Sequence, residues 1–271
     1  DIQAEAIAAR LSGRGLPMLD RVELDVVNEA QPRWLAFLRS EHDLLRPVPP
    51  DFLHLAIAGG AAAPHLAARG VQLHSARAEG ILYTFFNMEH PVVGGYLASQ
   101  VALRRAISLG YDLAADIAVL RRGHAVPHHT LVAPTANGFD PGFASALGES
   151  DPVRARALLD VFGFVDRDGD GYREFPDGRP LRLEITSPPG GTARERDELW
   201  RRSMEAIGIR IEFRKLIFAE LIRAVNSGTA MMASFGWIGA SGDALDYVQI
   251  LYGPNAGSSN DARFRLPDYD R

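Results

Sequence analysis

"DPVRARALLDVFGFVDRDGDGYREFPDGRPLRLEITS", residues 151–187, holds a helix, a turn and a strand in one run. Asp151 is placed to cap a helix that ends near Gly163, and "RLEITS" (182–187) reads as a strand. Between them Asp166, Asp168 and Asp170 alternate, Gly171 follows, and Asp177 stands twelfth in the loop that starts at Asp166. Oxygens at loop positions 1, 3, 5, 7, 9 and 12 are how a calcium loop wraps its ion. Alternating Asp and Gly also make a tight turn unaided, with carboxylates accepting from backbone N–H groups and Gly supplying positive φ. A calcium sensor would enter a second helix after the loop. Here the turn enters a strand, so a bound cation would be a surface staple.

Working outward, helices and strands keep alternating. "RVELDVV" (21–27) has period 2, and "QPRWLAFLRSEHDLL" (31–45) changes to helical spacing. "PPDFLHLAI" (49–57) reads as a short helix, and "VQLHSARA" (71–78) and "ILYTFFNM" (81–88) as strands, the second apolar enough for burial on both faces. Helices follow in "LASQVALRRAISLGY" (97–111) and in "LAADIAVLRRG" (113–123), the latter stopped at Gly123. After the acidic turn come helix 193–209, strand 210–216, helix 218–228, strand 230–237 and helix 244–253. In the helix from Ala193, the residues Leu199, Trp200, Ser203, Met204 and Ile207 share one face, the stripe expected to be buried. Repeated alternation of this kind implies an α/β layer structure, a mixed sheet with helices on both faces.

Composition narrows the function classes. The chain has 271 residues, 46% hydrophobic and 23% charged, with net charge -5 and no cysteine. That balance gives nucleic acid no electrostatic footprint. It also excludes disulfides, thiolate catalysis and Cys-ligated zinc. No apolar run reaches the length of a membrane span, so the chain is not itself expected to cross a bilayer. It opens in helical pattern at "DIQAEAIAARL" and stops at "LPDYDR", which reads as a piece of a longer protein. No nucleophile elbow, phosphate loop, dinucleotide fingerprint or H-E-x-x-H occurs. His124, His128 and His129 cluster in an irregular, proline-punctuated stretch with no carboxylate beside them, which reads as a polar loop. Nothing here looks like an enzyme.

In 151–187, the Ala-x-x-Leu-Leu helix, the Phe-Gly-Phe turn, the acidic turn and P-D-G-x-P-L before a strand resemble the family 5 extracellular solute-binding proteins of ABC importers. "FFNMEHP" (85–91), "VALRRAISLGYDLAADIAVLRRGHAVP" (101–127), "LWRRSMEAIGIRIEF" (199–213) and "FGWIGASGDALDYVQILYGPNAGSSN" (235–260) resemble further family segments in the family's order, so the likeness covers roughly 19–271. It implies a periplasmic binding protein-like lobe. The whole of 1–271 would be the C-terminal lobe of a two-lobed exported protein, with 1–18 a flanking connector. Such a protein is periplasmic, or exported and membrane-anchored. It closes on a peptide-like or other amphipathic solute between its lobes and delivers it to the permease subunits. No cofactor is implied beyond the calcium that the acidic turn could hold.

Solute-contacting groups are expected where buried strands end in loops: Phe86 and Asn87 after one strand, and Trp237, Ala240, Ser241 and Asp243 after another. The resemblance also exposes a departure. In peptide-carrying relatives the G-W segment leads to an aspartate that pairs with the ligand's α-ammonium. Ala240 stands there in this chain. A methyl group cannot offset the burial of an ammonium, so an amphipathic non-peptide solute gains ground unless Asp243 or Asp246 turns in. Two readings from other classes stay open: a calcium-binding structural or interaction module, which calcium calorimetry would reveal, and a hydrolase lobe, which a turnover screen would reveal.

Overall fold

The structure, a computed structural model, describes residues 9–15, 17–76, 80–145 and 148–271, the side chain of Thr192 excepted. Much of the helical start at 1–11, part of the proposed connector 1–18 and the end of the expected strand 71–78 lie outside the described residues. The chain divides into two compact units, Asp1–His74 and Ser75–Arg271.

The first unit has a small core of its own. Helix α1 (Ala30–Leu38) buries Trp34, which stacks on Phe52 at 5.5 Å between ring centroids. Short helices α2 (Leu53–Ala56) and α3 (Pro64–Ala67) add Ala56 and Leu66, and a two-stranded hairpin, β1 (Ile57–Ala58) with β2 (Ala61–Ala62), joins them. Helix α1 ends seven residues before the expected end at 45, because Arg39 closes the last turn and Ser40 takes a left-handed φ of 61°. The strand expected at 21–27 does not form, and 71–76 is likewise without a ladder.

The second unit carries the main sheet, in strand order β3-β6-β4-β5. Strand β3 (Gly80–Phe86) runs antiparallel to β6 (Met232–Ile238), while β4 (Arg182–Ser187) is parallel to both β5 (Arg210–Lys215) and β6. One face buries Leu183, Ile185, Ile211 and Met232 under Leu103, Ala106 and Ile107 of α4 (Ala98–Gly110), Leu159 of α6 (Pro152–Val161), and Trp200 and Met204 of α7 (Gly191–Glu205). The expected α7 stripe is thus buried, and Ser203 within it accepts a hydrogen bond from the Asp112 N–H at 3.1 Å. On the opposite face Phe85 and Ala233 meet Leu221, Ala224 and Val225 of α8 (Phe218–Asn226). Helices therefore cover both faces of a mixed sheet.

Three further expectations need correction. The helix expected over 113–123 is only α5 (Leu113–Ala115) running into a π-helical turn, Asp116–Leu120, where Arg121 pairs with Asp116. The last helix shortens to α9 (Leu245–Val248) followed by a 3₁₀ turn. Strand β3 is not buried on both faces, since Leu82 is 61% exposed. The reason is register: β4 reaches β6 only at Met232 and Ala233. The remaining β3–β6 ribbon extends past the helices that cover β4.

Candidate functional site

The ribbon separates the expected solute-contacting residues into two places. Phe86 pairs across the ladder with Met232, whereas Trp237 pairs with Ile81. Five residue steps of strand separate these rungs, roughly 17 Å at strand rise. Phe86 packs against the main core. Asn87 is 2% exposed, and its polar atoms are engaged by backbone. Its amide nitrogen donates to the carbonyls of Gly228 (2.9 Å) and Ala230 (3.1 Å), and its side-chain oxygen accepts from the Glu89 N–H (3.0 Å). It fastens the end of β3 to the turn that leads into β6.

Trp237, Ala240, Ser241 and Asp243 do come together, on a rim at the other end of the ribbon. The Trp237 indole N–H donates to the Asp246 carbonyl at 2.7 Å. Tyr247, buried in α9, receives the Gly239 N–H on its hydroxyl at 3.2 Å. A Cβ at position 239 would come within 2.8 Å of that ring, so only glycine lets the chain pass. The Asp246 carboxylate accepts from both the N–H (2.6 Å) and the hydroxyl (2.8 Å) of Ser241, and Asp243 accepts from the Leu245 N–H (2.9 Å). Both carboxylates that could replace the missing acid at 240 thus already hold the rim together. Outside lie Ala240, Ser241 and Asp243, with Leu245 at 69% exposure beside the half-buried Trp237, while Ile238, 72% exposed, points to the opposite face of the ribbon. An indole wall, exposed aliphatics and a few polar groups suit an amphipathic surface.

The Ser241 N–H, then its hydroxyl, hold the Asp246 carboxyl below its ordinary value. A depressed folded value stabilises the rim above the unfolded value, about pH 4, and that contribution disappears as pH falls through the folded one. Trp237 emission is therefore expected to stay constant from pH 7 to 5 and to change only below about pH 4. Asp246→Ala is expected to remove that transition. A midpoint near pH 6 would show that another group controls the rim. Behind it, on the covered side, Tyr83 donates to Asp261 at 3.2 Å, and burial raises the carboxyl of Asp261.

The acidic turn lies apart from the rim in sequence and in its partners. Asp166 accepts from the N–H groups of Gly169 (2.7 Å) and Gly171 (2.9 Å), Asp168 from Asp170 (3.1 Å), and Asp170 from Tyr172 (2.8 Å). Gly169 and Gly171 have φ of +79° and +89°, the positive values such a turn needs. One oxygen each from Asp166, Asp168, Asp170 and Glu174 lie within 4.8 Å of one another. Glu174 is the member sequence reasoning missed, although it occupies loop position 9; it is 8% exposed and accepts from the Arg167 N–H. Asp177 lies outside this group and pairs with Arg179 at 2.8 Å. Among the described residues, none of His124, His128 and His129 joins a metal-ligating group. His128 and His129 instead bond the carbonyls of Thr130 and Ser145.

A family model described as bacterial extracellular solute-binding proteins, family 5 Middle, matches residues 11–259. The di/tripeptide-binding protein 2 of Pseudomonas aeruginosa is 28% identical over 168 residues, which are 61% of this chain and 29% of that protein. The periplasmic oligopeptide-binding protein of an ABC transporter from Thermotoga maritima superposes with TM-score 0.70 at 18% identity, over 92% of this chain and 47% of that one. NikA from Brucella suis, solved in complex with Fe(III)-EDTA, gives 0.66 at 22% identity over 91% and 47%. The chain spans less than half the length of these relatives. Among the described residues, no helix is long and apolar enough to cross a membrane.

Proposed function

Since this chain belongs to the bacterial extracellular solute-binding proteins of family 5, we propose that it is the second lobe of the substrate-binding component of an ABC importer. It works in the periplasm and presents the Trp237–Asp246 rim to a peptide-like or other amphipathic solute. The solute passes on to the permease subunits, and the lobe binds without turning it over.

The observation that carries this reading is the rim itself: a half-buried indole among exposed Leu245, Ala240 and Ser241, held by its own hydrogen bonds. No carboxylate at 240 awaits an ammonium, and those of Asp243 and Asp246 are engaged. A free α-amine should therefore add little. Trp34 and Trp200 are 3% and 4% exposed, so Trp237 is the tryptophan a quencher reaches. Titrating matched short peptides, free and N-acetylated, against the complete gene product tests this directly. Affinities within about threefold, roughly 0.7 kcal/mol, are expected, with quenching of Trp237 relieved on binding. A hundredfold loss on acetylation would restore ammonium recognition. Binding by no peptide or amphipathic compound would remove the solute reading altogether.

For the acidic turn we propose a calcium staple, separate from solute capture. Four oxygen-donor carboxylates at one point suit a hard cation, though Arg210 already pairs with Asp170 at 2.8 Å and would have to yield. Calcium at a hundred times its Kd would then stabilise the chain by about 2.7 kcal/mol. Asp168→Ala is expected to abolish the calcium-dependent rise in Tm and leave the metal-free Tm within a few degrees. A large loss without calcium would make the turn a hydrogen-bonded cap only.

A further inference from the structure

The chain has six asparagines, and one of them, Asn137, is followed by glycine. Both residues of this pair are exposed, between Ala136 and Phe139, which pack in one cluster with Trp237 and Tyr247. The pair is clamped to the rim through its main chain. The Asn137 N–H donates to the Gly242 carbonyl at 2.8 Å, and the Asn137 carbonyl accepts from the Ala244 N–H at 2.9 Å. Asn137 thus stands beside Asp243 in an isolated parallel bridge. Position 138 needs glycine, because its φ is +89° and a Cβ there would come within 3.0 Å of the Ala244 methyl. Among the described residues, neither the Asn137 side-chain amide nor the Gly138 N–H has a hydrogen-bond partner.

We propose that Asn137–Gly138 is a self-modification site, at which the folded protein converts an asparagine on the rim to aspartate and isoaspartate. The Gly138 nitrogen attacks the side-chain carbonyl carbon of Asn137. That C–N bond forms, and ammonia leaves with the proton the nitrogen carried, giving a five-membered succinimide. Water then opens the ring at one of its two carbonyls, which leaves either aspartate or isoaspartate. Two features favour this pair. No side chain at 138 hinders the attack, and the Ala244 N–H, by bonding the Asn137 carbonyl, polarises that peptide and makes its own N–H more acidic. The other sites are closed. The N–H groups after Asn87, Asn226 and Asn255 are held by the carbonyls of Ala262, Arg223 and Gly253. The Asn260 side chain is buried in three hydrogen bonds, and Asn28 precedes a glutamate whose side chain crowds the attacking nitrogen. Asp-Gly pairs can close the same ring more slowly. In 168–169, 170–171 and 177–178, however, the glycine N–H is held by Asp166, by Asp166 again and by the Phe175 carbonyl. Either product at 137 puts a carboxylate beside Asp243. Isoaspartate also lengthens the main chain between the bonds to Gly242 and Ala244, so the rim should loosen as conversion proceeds, whichever solute is carried.

Ageing the complete gene product in warm, mildly alkaline buffer and mapping its peptides by mass spectrometry tests this. The peptide that contains Asn137 is expected to gain one mass unit at least about tenfold faster than any other asparagine peptide, a barrier lower by about 1.4 kcal/mol. An isoaspartyl methyltransferase should label the same peptide. Asn137→Gln, which would have to close a larger ring, is expected to stop both signals. Quenching of Trp237 should rise in aged wild type in step with the mass gain, and stay constant in the variant aged alike. Fresh wild type serves as the reference if the variant folds poorly. No gain at 137 in the folded protein, over a period in which the urea-unfolded chain converts, would overturn the proposal. So would conversion that leaves Trp237 quenching unchanged, since the clamp at 137 would then not govern the rim.

Discussion

Trp200→Ala is expected to cost about 3–5 kcal/mol, the range for deleting a large aromatic from a packed core. The indole is 4% exposed and sits in the principal core with Met204, Ile207 and Leu109. It also packs against Tyr111, with ring centroids 4.3 Å apart and planes tilted by 34°, an arrangement that adds to the area term. Burial raises the Tyr111 hydroxyl above its ordinary value, so alanine at 200 would also open a path for water to that phenol. For a unit of this size the loss corresponds to a fall in Tm on the order of 10 °C. Trp237→Ala is the control: that ring stands half-exposed on the rim, and its removal should shift Tm far less. Chemical unfolding of both variants reads the difference. A cost under about half a kcal/mol at Trp200, typical of a surface substitution, would mean that α7 is turned away from the sheet.

What could be read from the residues depended on where each element finds its partners. Helix α7 was legible because its stripe of Leu199, Trp200, Ser203, Met204 and Ile207 is a property of one segment. The family resemblance, carried by 85–91, 101–127, 151–187, 199–213 and 235–260, is borne out by the family match over 11–259. The strands β3 to β6 were legible because their ladders lie within the chain. Residues 21–27 carry an equally good pattern and form no ladder among the described residues. The exposure of Leu82 could not be read either, since it depends on how few rungs β4 shares with β6. At the rim, Trp237, Ala240, Ser241 and Asp243 were adjacent in sequence and stay adjacent in space. Phe86 was grouped with them by a local rule about strand ends, and an antiparallel ladder sends it to the opposite end of the ribbon. Glu174 was hidden by attention to the twelfth loop position. The ninth position faces the three aspartates, while Asp177 turns to Arg179.

Asn87 offers the second large effect, and it separates a structural role from a binding one. Its side chain makes three hydrogen bonds to backbone groups, at 2.9, 3.1 and 3.0 Å, inside a site only 2% exposed. Alanine would leave the carbonyls of Gly228 and Ala230 and the N–H of Glu89 without this partner. A buried polar group stripped of its bond costs about 1–3 kcal/mol, and the carbonyls can partly rehydrate through the gap. A net loss of about 2–4 kcal/mol is therefore expected for Asn87→Ala. Asn87→Asp should be as damaging, because a carboxylate can still accept from Glu89 but cannot donate to either carbonyl. The effect belongs to the turn where β3 hands over to the 228–231 segment, since Asn87 N–H also bonds the Met231 carbonyl at 2.9 Å. Solute affinity per folded molecule should change little, because the rim lies roughly 17 Å away along the ribbon. Unfolding and solute titration on the same variant give both numbers. A variant of normal stability with abolished binding would instead place Asn87 at the solute, and would require its three backbone bonds to open whenever the solute is held.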